Sequence, residues 1–236
     1  LAALGLLTDS TTSSWLFKGQ TYSPGQAVLS IRFDDIHKRD YDYVYPLFMA
    51  RGMVGGFAVV EDWIGGVNRV TLAQLLEMQA AGNEMMGHSK THGDDPVDYD
   101  EFEEEVKSAT NRMRMIGLNI VNFVCPGTWN DSYPTGYKVD STDFYGSPED
   151  LLLRAEFKAY EAYLLVDHYD GGYYHFDLPR SSVWGVRHAS GDGWSLATLQ
   201  DYIDDMITSG YGGELLFHST MFDRDGYLTK ANFENF

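Results

Sequence analysis

The chain has 236 residues, 44% of them hydrophobic and 22% charged, which suits one large globular domain or two small ones with a full core. Lysine and arginine number 17 against 35 acidic residues, a formal charge of -18. That balance argues against nucleic acid or an anionic membrane as partner, and is compatible with a neutral or cationic polymer or simply with solubility.

The single cysteine, Cys125, excludes an internal disulfide and a thiolate-rich zinc cluster, and no apolar run approaches the length of a membrane span. Aromatic residues reach 14%, which suits sugar-stacking surfaces as well as cores. The stretch Leu1 to Leu7 is too short for a signal peptide, and a start without methionine is compatible with the remnant of a longer chain. Residues 1–26 have weak periodicity and a Thr/Ser-rich patch from Thr8 to Ser14, so they read as an N-terminal extension or linker.

From residue 27 to 236 the pattern changes to strand-then-helix repetition in one domain. Ala27–Phe33 reads as a buried strand that ends at the pair Asp34-Asp35. Tyr41–Arg51 has helical spacing and closes at Gly52, and Met53–Val60 is a second strand. Thr71–Ala81 is an amphipathic helix with Thr71 as N-cap and Gly82 as stop, and Asn83–Gly87 is a short strand delivering His88. Asp98–Ile116 is the longest helix, opened by an acidic run that suits a helix N-terminus. Ile120–Val124 is a strand, residues 130–147 are loop, Pro148–Tyr160 is a helix, and Tyr163–Val166 and Phe176–Val183 are strands. Ser195–Ser209 is a helix capped by Ser195 and stopped by Gly210, and Gly213–Phe217 is a strand delivering His218. Strands alternate with helices about seven times, which implies parallel pairing in a barrel or an open α/β sheet.

The candidate chemistry falls at strand C-terminal ends: Asp34, Asp35, His88 and His218. In an α/β barrel that is where active sites collect. Within Gly87–Gly93, His88 and His92 stand four residues apart; if His88 begins a helical turn, both nitrogens reach one cation. Such a pair is equally compatible with two helix-surface histidines, but the Asp pair at a strand end supplies the third donor that a catalytic zinc needs. Two adjacent strand residues point to opposite faces, so Asp34 and Asp35 can share a site only if the strand ends or bends there.

Taken in order, Ile31-Arg32-Phe33-Asp34-Asp35, His88-Ser89-Lys90-Thr91-His92, Phe123–Gly127 and Leu215-Leu216-Phe217-His218 resemble the motifs of the polysaccharide deacetylases, the carbohydrate esterases with the NodB homology domain. The resemblance implies a distorted (β/α) barrel of about seven parallel strands, in the α/β class, and a metal-dependent deacetylase of an N- or O-acetylated polysaccharide or oligosaccharide. It implies Asp34 as general base, His218 as general acid, and Asp35, His88 and His92 as ligands of one divalent metal, with zinc the expected ion. The N–H of Gly127 would contribute to an oxyanion hole, and Trp129 and Trp184 are substrate-platform candidates with core packing as their alternative. No nucleic acid and no membrane insertion are expected, and the expected place of action is extracellular or at the cell surface.

Three departures from the pattern stand out. Ile36 replaces the glycine that usually follows the Asp pair; the fourth motif has no clean match, with Asp177, Arg180 and Trp184 as candidates; and Val124 stands where an arginine usually orients the base. A guanidinium suits that task, since it can grip a carboxylate while staying charged. Arg180 is the preferred replacement and Arg187 the second choice, while Arg32 is disfavoured because alternation turns it away from Phe33. Two rival functions remain: a metal-dependent amidase or phosphoesterase acting on a non-sugar substrate, and a catalytically weak or inactive glycan-binding module on the same barrel.

Overall fold

The computed structural model describes residues 7–9, 14–17, 20–22, 29–129, 133–135, 144–163, 172–175, 183–189, 193–209 and 212–236. Within the first 26 residues, read from the sequence as an extension or linker, three short strands are described. β1 (Leu7–Asp9), β2 (Ser14–Phe17) and β3 (Gln20–Tyr22) pair antiparallel in a sheet of their own.

The main sheet contains β4 (Leu29–Phe33), β5 (Gly56–Val59), β6 (Glu84–Gly87), β7 (Asn122–Phe123), β8 (Ala159–Tyr163), β9 (Gly172–His175), β10 (Val183–His188) and β11 (Gly212–Phe217). Its order is β10-β11-β4-β5-β6-β7-β8-β9. Every neighbouring pair from β10 to β8 is parallel, and only β9 runs antiparallel, against β8. The crossovers carry α1 (Tyr45–Ala50), α2 (Leu72–Ala80), α3 (Tyr99–Glu103), α4 (Ala109–Met115), α5 (Pro148–Glu156) and α6 (Leu196–Ser209), and α7 (Lys230–Asn235) follows the last strand. This is the expected distorted α/β barrel. No helix among the described residues is long and apolar enough to cross a membrane.

Alternation along the central strands divides the sheet chemically. Phe217, Phe33 and Phe57 lie in register across β11, β4 and β5, with stacked rings 5.5 and 5.8 Å apart. Their face meets the helices, where Phe33 packs edge-on against Phe48 of α1 at 6.0 Å and Phe233 of α7 at 5.8 Å. Each such ring contributes about 2–3 kcal/mol by burial. At one and three residues earlier, the opposite face carries Arg32, Ser30 and Glu214, all buried. The barrel lumen is therefore polar where the helix face is aromatic.

Local signals set most element ends where the sequence placed them. Thr71 and Gln74 form a reciprocal capping box at the start of α2, and Gly82 leaves it with φ +94°. Ser195 Oγ accepts from the Thr198 N–H at 3.2 Å ahead of α6. Two expectations are corrected. The helix predicted to reach Tyr160 stops at Glu156, because Phe157 is extended and the Lys158 N–H donates to Val121 O at 2.8 Å, beginning the next strand. That strand starts at Ala159 rather than Tyr163. The long helix runs from Tyr99 to Met115 but widens to a π-helical turn at Glu104–Ser108. Of the strand expected over Phe176–Val183, only Val183 lies within the described residues, as the first residue of β10.

Candidate active site

β4 ends at Phe33, and the Asp34 N–H continues its ladder by donating to Phe217 O at 3.0 Å. The chain then turns through two left-handed residues, Asp35 at φ +78° and Ile36 at φ +45°. That step breaks the strict alternation and lets adjacent aspartates share one site. Arg69 Nη1 donates to Asp35 O at 2.8 Å and the Val70 N–H to Ile36 O at 3.0 Å, which fixes the turn. The left-handed φ also gives a physical reason for glycine after the Asp pair. Here a β-branched residue is kept there by burial, since Ile36 is a core side chain.

β6 delivers His88, but the route to His92 is a loop rather than the helical turn considered from the spacing. Ser89 has φ +63° and His92 φ +55°, conformations no α-helix contains. Glu105, on the inner side of the π-helical turn, holds this loop. Its carboxylate accepts the N–H groups of Lys90 and Thr91 at 3.1 and 3.0 Å and the Thr91 hydroxyl at 3.0 Å. The His92 N–H donates to Ser89 Oγ at 2.9 Å.

These folds converge. Asp35 Oδ1 lies 3.7 Å from His88 Nε2 and 3.3 Å from His92 Nε2, and one ligand atom from each of the three falls within 4.8 Å of the others. Asp35 Oδ1 is buried and has no hydrogen-bond partner among the described residues. A buried carboxylate oxygen left so is unfavourable by about 1–3 kcal/mol or more, and a cation would satisfy it. The donor chemistry, one carboxylate and two imidazoles, fits zinc and leaves room for a further ligand. His88 is fully buried and its Nδ1 lies 2.8 Å from Val124 O. A carbonyl only accepts, so Nδ1 carries the proton and Nε2 presents a lone pair to the site. Burial pushes the His88 pKa down to about 4, which keeps the ring neutral. His218, at the end of β11 and 20% exposed, places Nε2 3.8 Å from Asp35 Oδ2.

Asp34 is buried and gripped by Arg32, with Nε donating to Oδ1 at 2.7 Å and Nη2 to Oδ2 at 3.2 Å. Burial acts to raise the Asp34 pKa, but Arg32, then His88 and His218, outweigh it and hold the carboxyl below the usual carboxylate range. Arg32 Nη1 in turn lies 2.6 Å from Glu214 Oε1 and 2.6 Å from Glu161 Oε2. Burial pushes the Glu161 pKa up, and the Arg32 guanidinium beside it opposes that shift. Arg32 was disfavoured because it points away from Phe33. It does, but so does Asp34, and residues two apart on a strand share a face. Arg180 and Asp177 lie outside the described residues, and Arg187 and Trp184 belong to β10 without described side chains.

Gly127 lies exposed in the turn after β7, where an added Cβ would meet nothing. Trp129 is not a surface platform: it is 2% exposed and packs against Phe102 and Phe123. The sequence reading overlooked Trp63, which stacks on His92 with ring centroids 5.0 Å apart. It also overlooked Glu105 and the lumen carboxylates, and nothing in the linear spacing marks any of them. For Arg32 the signal was present, as the i, i+2 relation to Asp34.

No protein-family model matches the sequence, and neither does any curated protein. Solved structures do. A Mycobacterium smegmatis protein assigned as a polysaccharide deacetylase aligns over 90% of this chain and 83% of its own, at 14% identity and a TM-score of 0.55. The catalytic domain of a peptidoglycan N-acetylglucosamine deacetylase from Eubacterium rectale aligns over 85% of this chain and 80% of its own, at 14% identity and a TM-score of 0.51. A Streptococcus pyogenes deacetylase, PplD, is 23% identical over 43% of this chain, with a TM-score of 0.40, and the match spans about half of that protein, 47%. The chain has the fold of the polysaccharide deacetylases.

Proposed function

We propose that the chain is a metal-dependent hydrolase that removes acetyl groups from an N- or O-acetylated polysaccharide. The observation that carries this reading is the convergence, at one barrel rim, of the partnerless Asp35 Oδ1 with His88 and His92, beside an arginine-gripped Asp34 and His218. Asp35, His88 and His92 would hold the metal, with zinc the expected ion. A zinc ion there supplies Lewis acidity toward the acetyl carbonyl and an attacking water.

The remaining work falls to this chain's own groups. Asp34, ionised and fixed by two bonds from Arg32, accepts the proton of the attacking water at a carboxylate oxygen. His218, whose Nε2 lies 3.8 Å from Asp35 Oδ2, returns a proton through Nε2 to the departing amine or alcohol. The Gly127 N–H, in the turn after β7, would serve as a donor to the developing oxyanion. An acidic chain of formal charge -18 does not repel a neutral glycan or its aminated product. Action outside the cell or at its surface is the setting that such a substrate implies.

The test measures acetate release from chitin-, peptidoglycan-, xylan- and capsule-type substrates, with the protein stripped of metal and then reloaded with zinc. Acetate release that follows zinc supports the reading. Phosphoester cleavage without acetate release would move the chain to a different hydrolase class. Glycan binding with no turnover at full zinc occupancy would make it a binding module.

A further inference from the structure

The three candidate ligands are oriented by different means. His88 is locked by a hydrogen bond from Nδ1 to Val124 O at 2.8 Å, the usual way an outer partner sets an imidazole. Beyond its approach to Asp35, the His92 ring has no hydrogen bond among the described residues; the loop holds only its backbone, in a left-handed conformation. Its ring is instead laid on Trp63, with centroids 5.0 Å apart and planes inclined by 25°.

Trp63 is itself well fixed. It ends the helical turn Glu61–Trp63, whose Glu61 and Asp62 N–H groups donate to Ser89 O at 3.2 Å and Lys90 O at 2.9 Å, so the turn is bonded to the histidine loop. Glu61 is anchored in turn by Arg112 of α4 through two bonds of 2.7 Å. The Arg69 guanidinium carbon lies 3.7 Å from the Trp63 ring centroid, and Arg69 Nη1 donates to Asp35 O. A closed circuit results: Asp35 to Arg69, Arg69 to Trp63, Trp63 to His92, and His92 back to Asp35.

Resting on the metal-site reading above, we infer that Trp63, braced by Arg69, is a positioning residue for the metal. Its indole face sets the plane of the His92 imidazole, the task that a hydrogen bond performs for His88. Stacking suits this position because it restrains the ring's tilt without engaging either nitrogen, so Nε2 stays available. The same contacts argue against a sugar platform, since His92 and Arg69 already occupy aromatic surface that a sugar would need.

The experiment compares the full chain with its Trp63→Leu, Trp63→Phe and Arg69→Met variants by zinc competition against a chromophoric chelator, alongside circular dichroism of the metal-free proteins. Removing an outer partner of a metal ligand weakens affinity by about 10–100-fold, so Trp63→Leu should lose that much while Trp63→Phe, which keeps a stacking face, stays within about threefold of wild type. Arg69→Met should bind zinc severalfold more weakly with Trp63 still in place, and it decides the matter should Trp63→Leu fail to fold. Wild-type affinity in a folded Trp63→Leu, or in Arg69→Met in that event, overturns the inference. A raised KM for glycan with unchanged zinc affinity also overturns it and makes Trp63 a substrate contact. A wild-type chain that takes up no zinc overturns the metal-site reading itself, a result distinct from either.

Discussion

Replacing Arg32 by Met tests the polar lumen and the orientation of the base together. The side chain is 0% exposed and makes four short contacts: 2.7 and 3.2 Å to Asp34, 2.6 Å to Glu214 and 2.6 Å to Glu161. Methionine fills much of the volume but leaves buried carboxylates without a counter-charge, which costs about 3–5 kcal/mol. For a domain of this size that corresponds to a fall of roughly 6–20 °C in melting temperature. The pH dependence is diagnostic. In the wild type Asp34 has a depressed pKa, so its ion pair contributes stability above the unfolded carboxyl value and loses it as pH falls through the folded one. Without Arg32 the burial that already acts to raise this pKa is no longer outweighed, and mild acid neutralises the costly charge. The deficit should therefore be widest near neutral pH and narrow toward about pH 5. Urea unfolding of metal-free protein at several pH values measures it. On an acetylated substrate kcat should drop about 10²-fold, the size of a misplaced general base, with little change in KM. Arg32→Lys keeps the charge without the two-pronged geometry and should fall between the two. A loss below about 1 kcal/mol that is constant with pH would refute the argument, because a buried counter-ion cannot be so cheaply removed.

Three further outcomes follow from the same geometry. Asp34→Asn should retain zinc and lose about 10²-fold or more in turnover, whereas Asp35→Asn should lose zinc; equal metal loss in both, by elemental analysis, would refute the division of roles. Glu105→Ala removes the acceptor of two backbone N–H groups and the Thr91 hydroxyl, so it should destabilise by on the order of 3 kcal/mol and weaken zinc binding. Unaltered zinc affinity there would show that the loop needs no such anchor. Burial pushes the Glu84 pKa up to about 8, so the folded protein keeps a proton that the unfolded chain releases, and stability falls as pH rises toward that value. Glu84→Gln removes this slope, and its advantage over wild type in thermal melts should grow between about pH 5 and 8; a constant difference would contradict the proton accounting.

The parts of the site that were legible in the sequence are those with a local signature. Asp34-Asp35 follows a run of buried strand residues, and His88 and His218 each follow a short apolar strand, so their placement at the barrel rim could be read from pattern alone. The path between His88 and His92 could not. Four-residue spacing is shared by a helical turn and by this loop, and the loop is selected by Glu105, thirteen residues beyond His92 and brought inward by a widened helical turn. The helix over Pro148–Tyr160 was overrun for a similar reason: the aromatic and apolar residues after Glu156 satisfy helix and strand patterns alike, and pairing with β7 decides between them. Trp63 reaches His92 only through a crossover, which no linear reading locates.

Arg32 grips Asp34 from a position other than 124, where the resemblance would place the arginine. Val124 is buried, and its carbonyl holds His88, so the position supports the candidate metal site through its backbone whatever side chain it bears. Asn122 shares the lumen with Glu84, to which its Nδ2 donates, and continued alternation from Asn122 assigns Val124 to that face too. A guanidinium from Val124 and one from Arg32 would then approach the same carboxylate from two strands. Like charges in a closed, low-dielectric space repel strongly, so the lumen favours one. Arg32 is the better placed, since it reaches Asp34 within its own strand and Glu214 on the adjacent one, with Glu161 closing the set. The acidic residues on β8 and β11 belong to the same substitution, because an arginine so deep in the barrel needs more counter-charge than Asp34 alone provides. The grip on Asp34, the proposed base, is thus supplied from another strand of the same barrel, and the price is a lumen built around charge.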